Sequence, residues 1–450
     1  MKKIALYLFV GIFCLSGSAG AQAKQWTLEE CIRHAIEHNI ELKQIELEQE
    51  AREIELNTDK NSWLPNLNLS AGQNFSFGRM QGSDGVYTSR NGASTSFSAR
   101  TQMPVFDGFK IYNNIESAKL NLKAAVASLE KAKEDLAINV ASYFLQVLYN
   151  KEILSIAELQ VALTSEQVSK TEVLVNSGKI PTSQLYDIKA QLANDEVSLA
   201  EARNNVNLAL LDLAQALELE RLGEDFNVSI PDIKDPVSEN LQSLLPPDFI
   251  YDKAVVTKPQ IKEQEYLLER QKKELKVAQA DYYPNLSLSG GYSTSYYKAY
   301  SGLRDGEYTH SFSSQLSDNS QETIGLSLSV PIFNRFQIRN NVRSARVAII
   351  NRELMMENSK KVLYKEIQQA YFNATAAQEK FIASGKSAEA SKEAFVYAEE
   401  RYAAGKSTVF EYNESKTKYS QSLAEQAQSK YNFIFRAKIL DFYNGIPITL

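Results

Sequence analysis

Little in this 450-residue chain interrupts a helix. Its 19 glycines and 11 prolines fall together well under the roughly 12% of an average protein. That shortage excludes a collagen-like chain, a disordered one and a turn-rich sandwich, and it calls for long uninterrupted elements. Lys and Arg number 49 against 55 Asp and Glu, a net charge of −6. No basic excess exists to hold a phosphate backbone, so nucleic acid is excluded as a partner. Two cysteines cannot make a disulfide framework, and three histidines leave little material for metal or acid–base chemistry. Beyond the amino terminus no apolar run approaches the roughly 20 residues of a membrane-spanning helix.

The apolar run that does exist reads as a secretory signal over residues 1–23. Lys2 and Lys3 supply the positive region, Ile4 to Leu15 the apolar stretch, and Ala21-Gln22-Ala23 a small-x-small site with cleavage after Ala23. Cys14 raises a lipid anchor, but the bulky Phe13 before it argues against attachment there. Cleavage leaves Cys31 as the one cysteine, so the exported chain has no intrachain disulfide.

What is present is a duplication. Trp63-Leu64-Pro65-Asn66-Leu67 matches Tyr282-Tyr283-Pro284-Asn285-Leu286, and Pro104-Val105-Phe106 matches Pro331-Ile332-Phe333. Gly178-Lys179 matches Gly405-Lys406 in the same register as the second pair. Self-similarity at this scale sets the architecture: a first repeat over 24–220, a proline-bearing linker over 221–248 and a second repeat over 249–450. From Phe109 to Ser177 no Gly or Pro occurs, which predicts a helix of roughly 100 Å at 1.5 Å per residue. Ile115, Ala118, Leu122, Ala125, Leu129, Ala132 and Leu136 recur along it as a coiled-coil-like seam. Gly178 and Gly405 each interrupt a pair of such helices, which predicts long hairpins with tight turns. Eleven of the glycines cluster in 72–108 and 290–325, and there the pattern changes to period two. Leu67, Leu69 and Phe75 alternate with Asn and Ser, as do Phe97 and Ala99, then Leu286, Leu288 and Tyr292, then Ile324, Leu326 and Leu328. Four strands with one apolar face and one small polar face fit an outer-membrane barrel with a wet lumen. Four strands cannot close a barrel, and open edges are not tolerated in lipid, so this reading requires an oligomer. A small soluble sheet on a periplasmic coiled-coil scaffold is the alternative, and a porin-like uptake channel is another.

The paired Leu-Pro-Asn-Leu or Tyr-Pro-Asn-Leu and Pro-Val-Phe or Pro-Ile-Phe signatures, their duplicated order and Arg401-Tyr402-Ala403-Ala404-Gly405 resemble the TolC-like outer-membrane efflux proteins. The resemblance covers Trp26 to about Gly445. It implies a mainly α chain with a small β part. Its helical hairpins would form a trimeric α-barrel, continued by a 12-stranded outer-membrane β-barrel with four strands per chain. It further implies an exit duct of a tripartite efflux or type I secretion system, with a periplasmic adaptor (membrane fusion protein) and an inner-membrane transporter as partners. No enzymatic activity and no cofactor are implied. The adaptor would meet the hairpin tips, Val175 to Gln184 and Tyr402 to Glu411. Glu411 and Glu414 match the acids that the family places at the tunnel's periplasmic mouth, although Thr408-Val409-Phe410-Glu411 also reads as a capping box. As the resemblance implies, the sequence departs from its relatives at Ser407, where they place Arg, and at Gln184, where they can carry an Asp that holds the neighbouring Tyr; Tyr402 can still bond Gln184, more weakly than it would a carboxylate. Gly178, Gln184, Tyr402 and Gly405 are therefore the turn and gate candidates.

Two further groupings carry less. Cys31, His34 and His38 share one face of the first helix with metal-ligand spacing, but no fourth ligand stands out, and the amphipathic surroundings favour a packing role. No Ser-His-Asp set or isolated carboxylate pair emerges among the acids of the solvated helices. The 23 tyrosines suit helix packing and membrane-interface belts. The exported substrate is not legible.

Overall fold

A computed structural model of the chain describes residues 25–81, 85–89, 91–221, 226–231, 245–301 and 310–450. The signal segment and its cleavage site at Ala23 lie outside them, as does most of the linker. In chain order the first half runs β1 (Gln25–Trp26), α1 (Leu28–His38), α2 (Ile40–Asn61), β2 (Asn66–Ser76), β3 (Arg79–Gln81), β4 (Tyr87–Ser89), β5 (Asn91–Phe106), α3 (Lys110–Asn176) and α4 (Thr182–Ala216). The rest is β6 (Asn227–Val228), α5 (Pro247–Thr257), α6 (Pro259–Ala280), β7 (Asn285–Ser301), α7 (Phe312–Asp318), β8 (Gln321–Ser329), α8 (Gln337–Ala403) and α9 (Val409–Tyr443). Helix dominates, as the scarcity of breakers predicts. Both α3 and α8 are 67 residues long, about 100 Å each. Gly385 does not interrupt α8. Among the described residues no helix is long and apolar enough to cross a membrane.

The chain divides into two compact units, Met1–Ile40 with Lys133–Ile250 and Glu366–Leu450, and Glu41–Ala132 with Tyr251–Lys365. In the first unit, α1 is fixed at its start by a capping box. Glu30 N–H donates to Thr27 Oγ1, and Thr27 N–H donates to Glu30 Oε2, each at 3.2 Å. Its buried face brings Leu28, Cys31 and Ala35 onto Val140, Phe144 and Leu148 of α3, Leu213 at the end of α4 and Ile434 of α9. Burying a side chain such as Phe144 or Leu148 contributes about 1.5–3 kcal/mol. The parallel pairing of β1 with β6 closes this core. Cys31 is thus a core residue. His34 lies between Trp26 and His38, its ring stacked on His38 at 4.0 Å. Among the described residues no group of three His, Cys, Asp or Glu side chains is placed to hold a metal ion.

The second unit holds a four-stranded antiparallel sheet in the order β2-β5-β7-β8. Its register settles which side chains share a face, because opposed residues in an antiparallel pair point the same way. Leu67, Leu69 and Ala71 oppose Thr101, Ala99 and Phe97. Those last two oppose Tyr292 and Thr294 on β7, where Leu286 and Leu288 in turn oppose Leu328 and Leu326 of β8. The opposite face carries Asn68, Ser70, Ser96, Ser98, Ser289, Ser293 and Thr323. The alternation read from the sequence is therefore coherent across all four strands. β5 runs on through Pro104, which lacks an N–H for the ladder, and the register shifts between Pro104 and Phe106.

The later half of β7 extends beyond the residues that β8 pairs, and α7 covers that edge. Gln315 takes the place of a strand there: Tyr297 N–H donates to Gln315 Oε1 at 2.9 Å, and Gln315 Nε2 donates to Tyr297 O at 3.0 Å. Asn319 Nδ2 donates to Ser295 O at 2.7 Å. Covering backbone groups in this way blunts an exposed strand edge.

The duplication extends to backbone conformation. Gly108-Phe109 and Arg335-Phe336 all have positive φ, between 56° and 69°, at the two strand-to-helix turns. Phe106 packs edge-on to Phe109, and Phe333 to Phe336, both at 5.5 Å. At Gly108 a Cβ would lie 2.6 Å from Ala280 O, so that turn admits no larger residue.

Candidate functional site

Each hairpin turns in the same way. At the first turn Gly178 N–H donates to Val175 O at 2.9 Å and Lys179 N–H to Leu174 O at 3.0 Å; at the second, Gly405 N–H donates to Tyr402 O at 3.0 Å and Lys406 N–H to Arg401 O at 2.8 Å. This is the Schellman pattern, which needs a left-handed residue just past the helix end. Gly178 and Gly405 supply it with φ of 71° and 69°. Nothing lies within 4 Å of a Cβ at either position, so conformation and not crowding selects glycine. Pro181 and Thr408 then start α4 and α9.

The first hairpin meets the second turn through Leu185 and Ile188 of α4 and Val409 of α9, with Tyr402 packed on them. Tyr402 also packs on the Tyr412 ring at 5.3 Å, and Phe395 stacks beside Tyr412 and Tyr419. Burial, then the carboxylates of Glu399 and Glu166, push the Tyr412 hydroxyl's pKa far upward, so it stays a neutral packing group. Gln184 is half-buried, and among the described residues no hydrogen bond joins it to Tyr402; an aromatic stack occupies the place of the expected polar link. Glu411 forms the capping box: its N–H donates to Thr408 Oγ1 at 3.2 Å, and Thr408 N–H donates to Glu411 Oε2 at 3.4 Å. Glu411 and Glu414 are both exposed and sit at i and i+3 on one face of α9.

Beneath this surface lies a charged cluster that sequence reasoning missed. Lys416 of α9 and Asp195 of α4 are 2% and 5% exposed, with Lys416 Nζ 2.7 Å from Asp195 Oδ2. Lys416 also donates to Thr164 Oγ1 of α3, which is fully buried. Gln191 Nε2 donates to the second carboxylate oxygen, Oδ1, at 2.8 Å. The cluster ties both helices of the first hairpin to the second. A signal was present: Asp195 lies seven residues from Ile188 and from Ala202, both buried, and Thr164 seven from the buried Ala157 and Thr171. Lys416 continues the buried stripe of Val409 and Tyr412. Polar groups on a heptad seam of this kind specify partner and register.

These hairpins and the one-sided sheet have counterparts among known proteins. The family described as outer membrane efflux protein matches residues 31–218 and 250–438. Outer membrane protein TolC of Escherichia coli K12 is 23% identical over 455 residues, covering 96% of this chain and 84% of that protein. The cation efflux system protein CusC of Escherichia coli O157:H7 is 24% identical over 377 residues, covering 78% and 73%. Among solved structures, CusC superposes with a TM-score of 0.74 at 17% identity, covering 94% of this chain and 92% of the other. The Campylobacter jejuni CmeC outer membrane channel gives 0.72 at 18% identity, covering 93% and 86%.

Proposed function

The chain belongs to the outer membrane efflux protein family and is an outer-membrane efflux channel with a helical tunnel in the periplasm; from that premise we propose that it acts as a homotrimeric exit duct without enzymatic activity. Its repeats, 24–220 and 249–450 joined by 221–248, each supply one strand pair and one helical hairpin. One observation carries the oligomer: the sheet ends in β2 and β8 without a further partner among the described residues. Its apolar face is bare as well, with Leu69 79% and Ile324 89% exposed. In lipid each unpaired backbone group costs several kcal/mol, so β8 of one copy must pair β2 of the next. Three copies give the 12 strands of a closed barrel, with outer-membrane lipid against the leucine face. The helices flanking those edge strands support the same seam. α2 leaves Leu47 and Ile54 exposed seven residues apart, and α8 leaves Val347 and Leu354 exposed at the same spacing. Cross-linking after membrane fractionation tests this reading. A trimer in the outer-membrane fraction is expected, and a soluble periplasmic monomer would return the chain to the scaffold alternative.

A periplasmic adaptor would dock on the turns around Gly178 and Gly405, with an inner-membrane transporter beneath it selecting the cargo. Trimerisation would bring six carboxylates, from Glu411 and Glu414, to one mouth. Crowded carboxylates attract cations and repel each other, which favours a cation-preferring constriction. Capping alone makes a different forecast, because Gln also serves at the third position of a capping box and Glu414 takes no part in it. Planar-bilayer conductance of Glu411→Gln/Glu414→Gln separates the two. Lost cation preference is expected; unchanged preference at normal trimer yield reduces both residues to helix-start chemistry.

A further inference from the structure

Where α6 gives way to β7 and α8 begins, the second unit carries a cleft of 570 Å³ lined by Gln279, Tyr282, Tyr283, Arg339, Arg343 and Arg346. The three arginines stand at i, i+4 and i+7 on α8, hence on one face, and all three are exposed. Among the described residues none of them makes an ion pair. Arg339 rests over the Phe336 ring at 5.7 Å, which orients its guanidinium without neutralising it. The first turn of α8 holds no acidic residue, so the positive end of the helix adds to the field. The matching positions of the other repeat carry different chemistry. There Tyr112, Glu116 and Lys119 stand in the same register, and Glu116 and Lys119 neutralise each other in an ion pair of 2.7 Å. Uncompensated charge of one sign on a concave surface calls for an anion, and guanidinium groups suit the planar, multi-oxygen face of a phosphate.

We propose that this cleft binds the phosphate of a phospholipid headgroup in the periplasmic leaflet of the outer membrane. The inference rests on the outer-membrane reading above. Its position follows from that reading: Tyr282 and Tyr283 immediately precede β7, so the cleft lies where strands leave the apolar band for helices in the periplasm. Tyrosine at such a boundary inserts its ring at headgroup depth, with basic side chains beside it contacting phosphate. Both tyrosines are more than half exposed, at 52% and 55%, which leaves the rings available to acyl chains.

The test uses the purified full-length oligomer in nanodiscs of phosphatidylcholine with a minor fraction of phosphatidylglycerol, and native mass spectrometry counts retained anionic lipid. Arg339→Gln/Arg343→Gln/Arg346→Gln is expected to lower anionic-lipid affinity on the order of a hundredfold, at roughly fivefold per cation. Tyr282→Ser/Tyr283→Ser should speed lipid exchange while leaving inorganic phosphate binding intact. A separate arm adds inorganic phosphate to the detergent-solubilised protein. Binding there, lost in the arginine variant, supports the phosphate chemistry, and loss of phosphatidylglycerol retention in the nanodisc arm assigns it to lipid. Equal anionic-lipid retention by the parent and the arginine variant overturns the proposal. Outer-membrane fractionation of the same variant keeps the two readings separate, because a variant that assembles in the outer membrane and still retains the lipid refutes the cleft alone.

Discussion

The buried Lys416–Asp195 pair permits a double-mutant cycle in which the sign of the coupling decides the physics. Lys416→Met removes the ammonium and leaves a carboxylate with 5% exposure held only by Thr164 and by Gln191. Breaking a buried pair from one side costs about 3–5 kcal/mol, because the remaining charge stays desolvated. Asp195→Asn is nearly isosteric and leaves Lys416 with Thr164 Oγ1 as its acceptor, so it should cost a similar amount. In Lys416→Met/Asp195→Asn no buried charge remains. The new amide would retain Thr164 and Gln191 as neighbours, and the residual loss is about one hydrogen bond, near 1 kcal/mol. The coupling is therefore expected to be about 5 kcal/mol or more, with the double variant more stable than either single one. Thermal unfolding of the four proteins in detergent reads the order directly, and midpoint order needs no two-state assumption. If the double variant unfolds as low as the sum of the single losses, the two residues are independent, and the pair does not hold the hairpins together.

Three further outcomes follow from individual positions. Gly385 sits inside α8 with only Gln426 Nε2 near a Cβ, at 3.7 Å, so Gly385→Ala should stabilise by about 0.5–1 kcal/mol; Gly405→Ala, forced to keep its left-handed φ, should cost about 1–2 kcal/mol, and equal midpoints for the two would refute the turn geometry. Leu288→Arg, on the leucine face, should impair assembly by about 2–4 kcal/mol while Ser289→Arg is tolerated; equal defects in heat-resistant oligomer yield would mean that the faces are misassigned. At Asp441 burial raises the carboxyl's pKa despite the opposing charge of Lys438. A raised folded-state pKa means that the contribution to stability is present at acid pH and lost as pH rises through it. Asp441→Asn should therefore unfold at higher temperature than the parent at pH 7, with the gap closing below about pH 4; a gap independent of pH would remove the carboxylate from the account.

Much of this fold is legible because its signals are periodic and strong. A helix free of Gly and Pro over 67 residues and strands alternating Leu with Ser or Asn leave few competing readings. The register of β2, β5, β7 and β8 keeps each expected apolar residue on its expected face. Two local features escape pattern reading for a physical reason. The helix α7 falls in a polar spacer with too few residues for a period to show, and its docking depends on one side chain, Gln315, imitating a strand. Arg335 adopts a left-handed φ of 56° where the first repeat has Gly108, so composition alone gives the second turn no breaker to announce it.

Two kinds of contact hold the hairpins together near their tips. Among the described residues no hydrogen bond joins Gln184 to Tyr402. The holding interactions lie further along the helices: an aromatic stack of Tyr402, Tyr412 and Phe395, then the Lys416–Asp195 pair joining α9 to α4. The stack is non-directional and tolerates small sliding, whereas the ion pair has one geometry and a high cost of separation without water. Separating the hairpins at the turns would thus be cheap, and separating them past Lys416 would require water to follow the charges inward. Under the proposed duct reading, a mouth built from these tips would widen at its rim while the helices above it kept their register. That division of labour gives the Lys416–Asp195 cycle a functional reading alongside its thermodynamic one: the double variant should remain folded yet raise the open-channel conductance, whereas a purely structural pair would leave conductance unchanged once folding is restored.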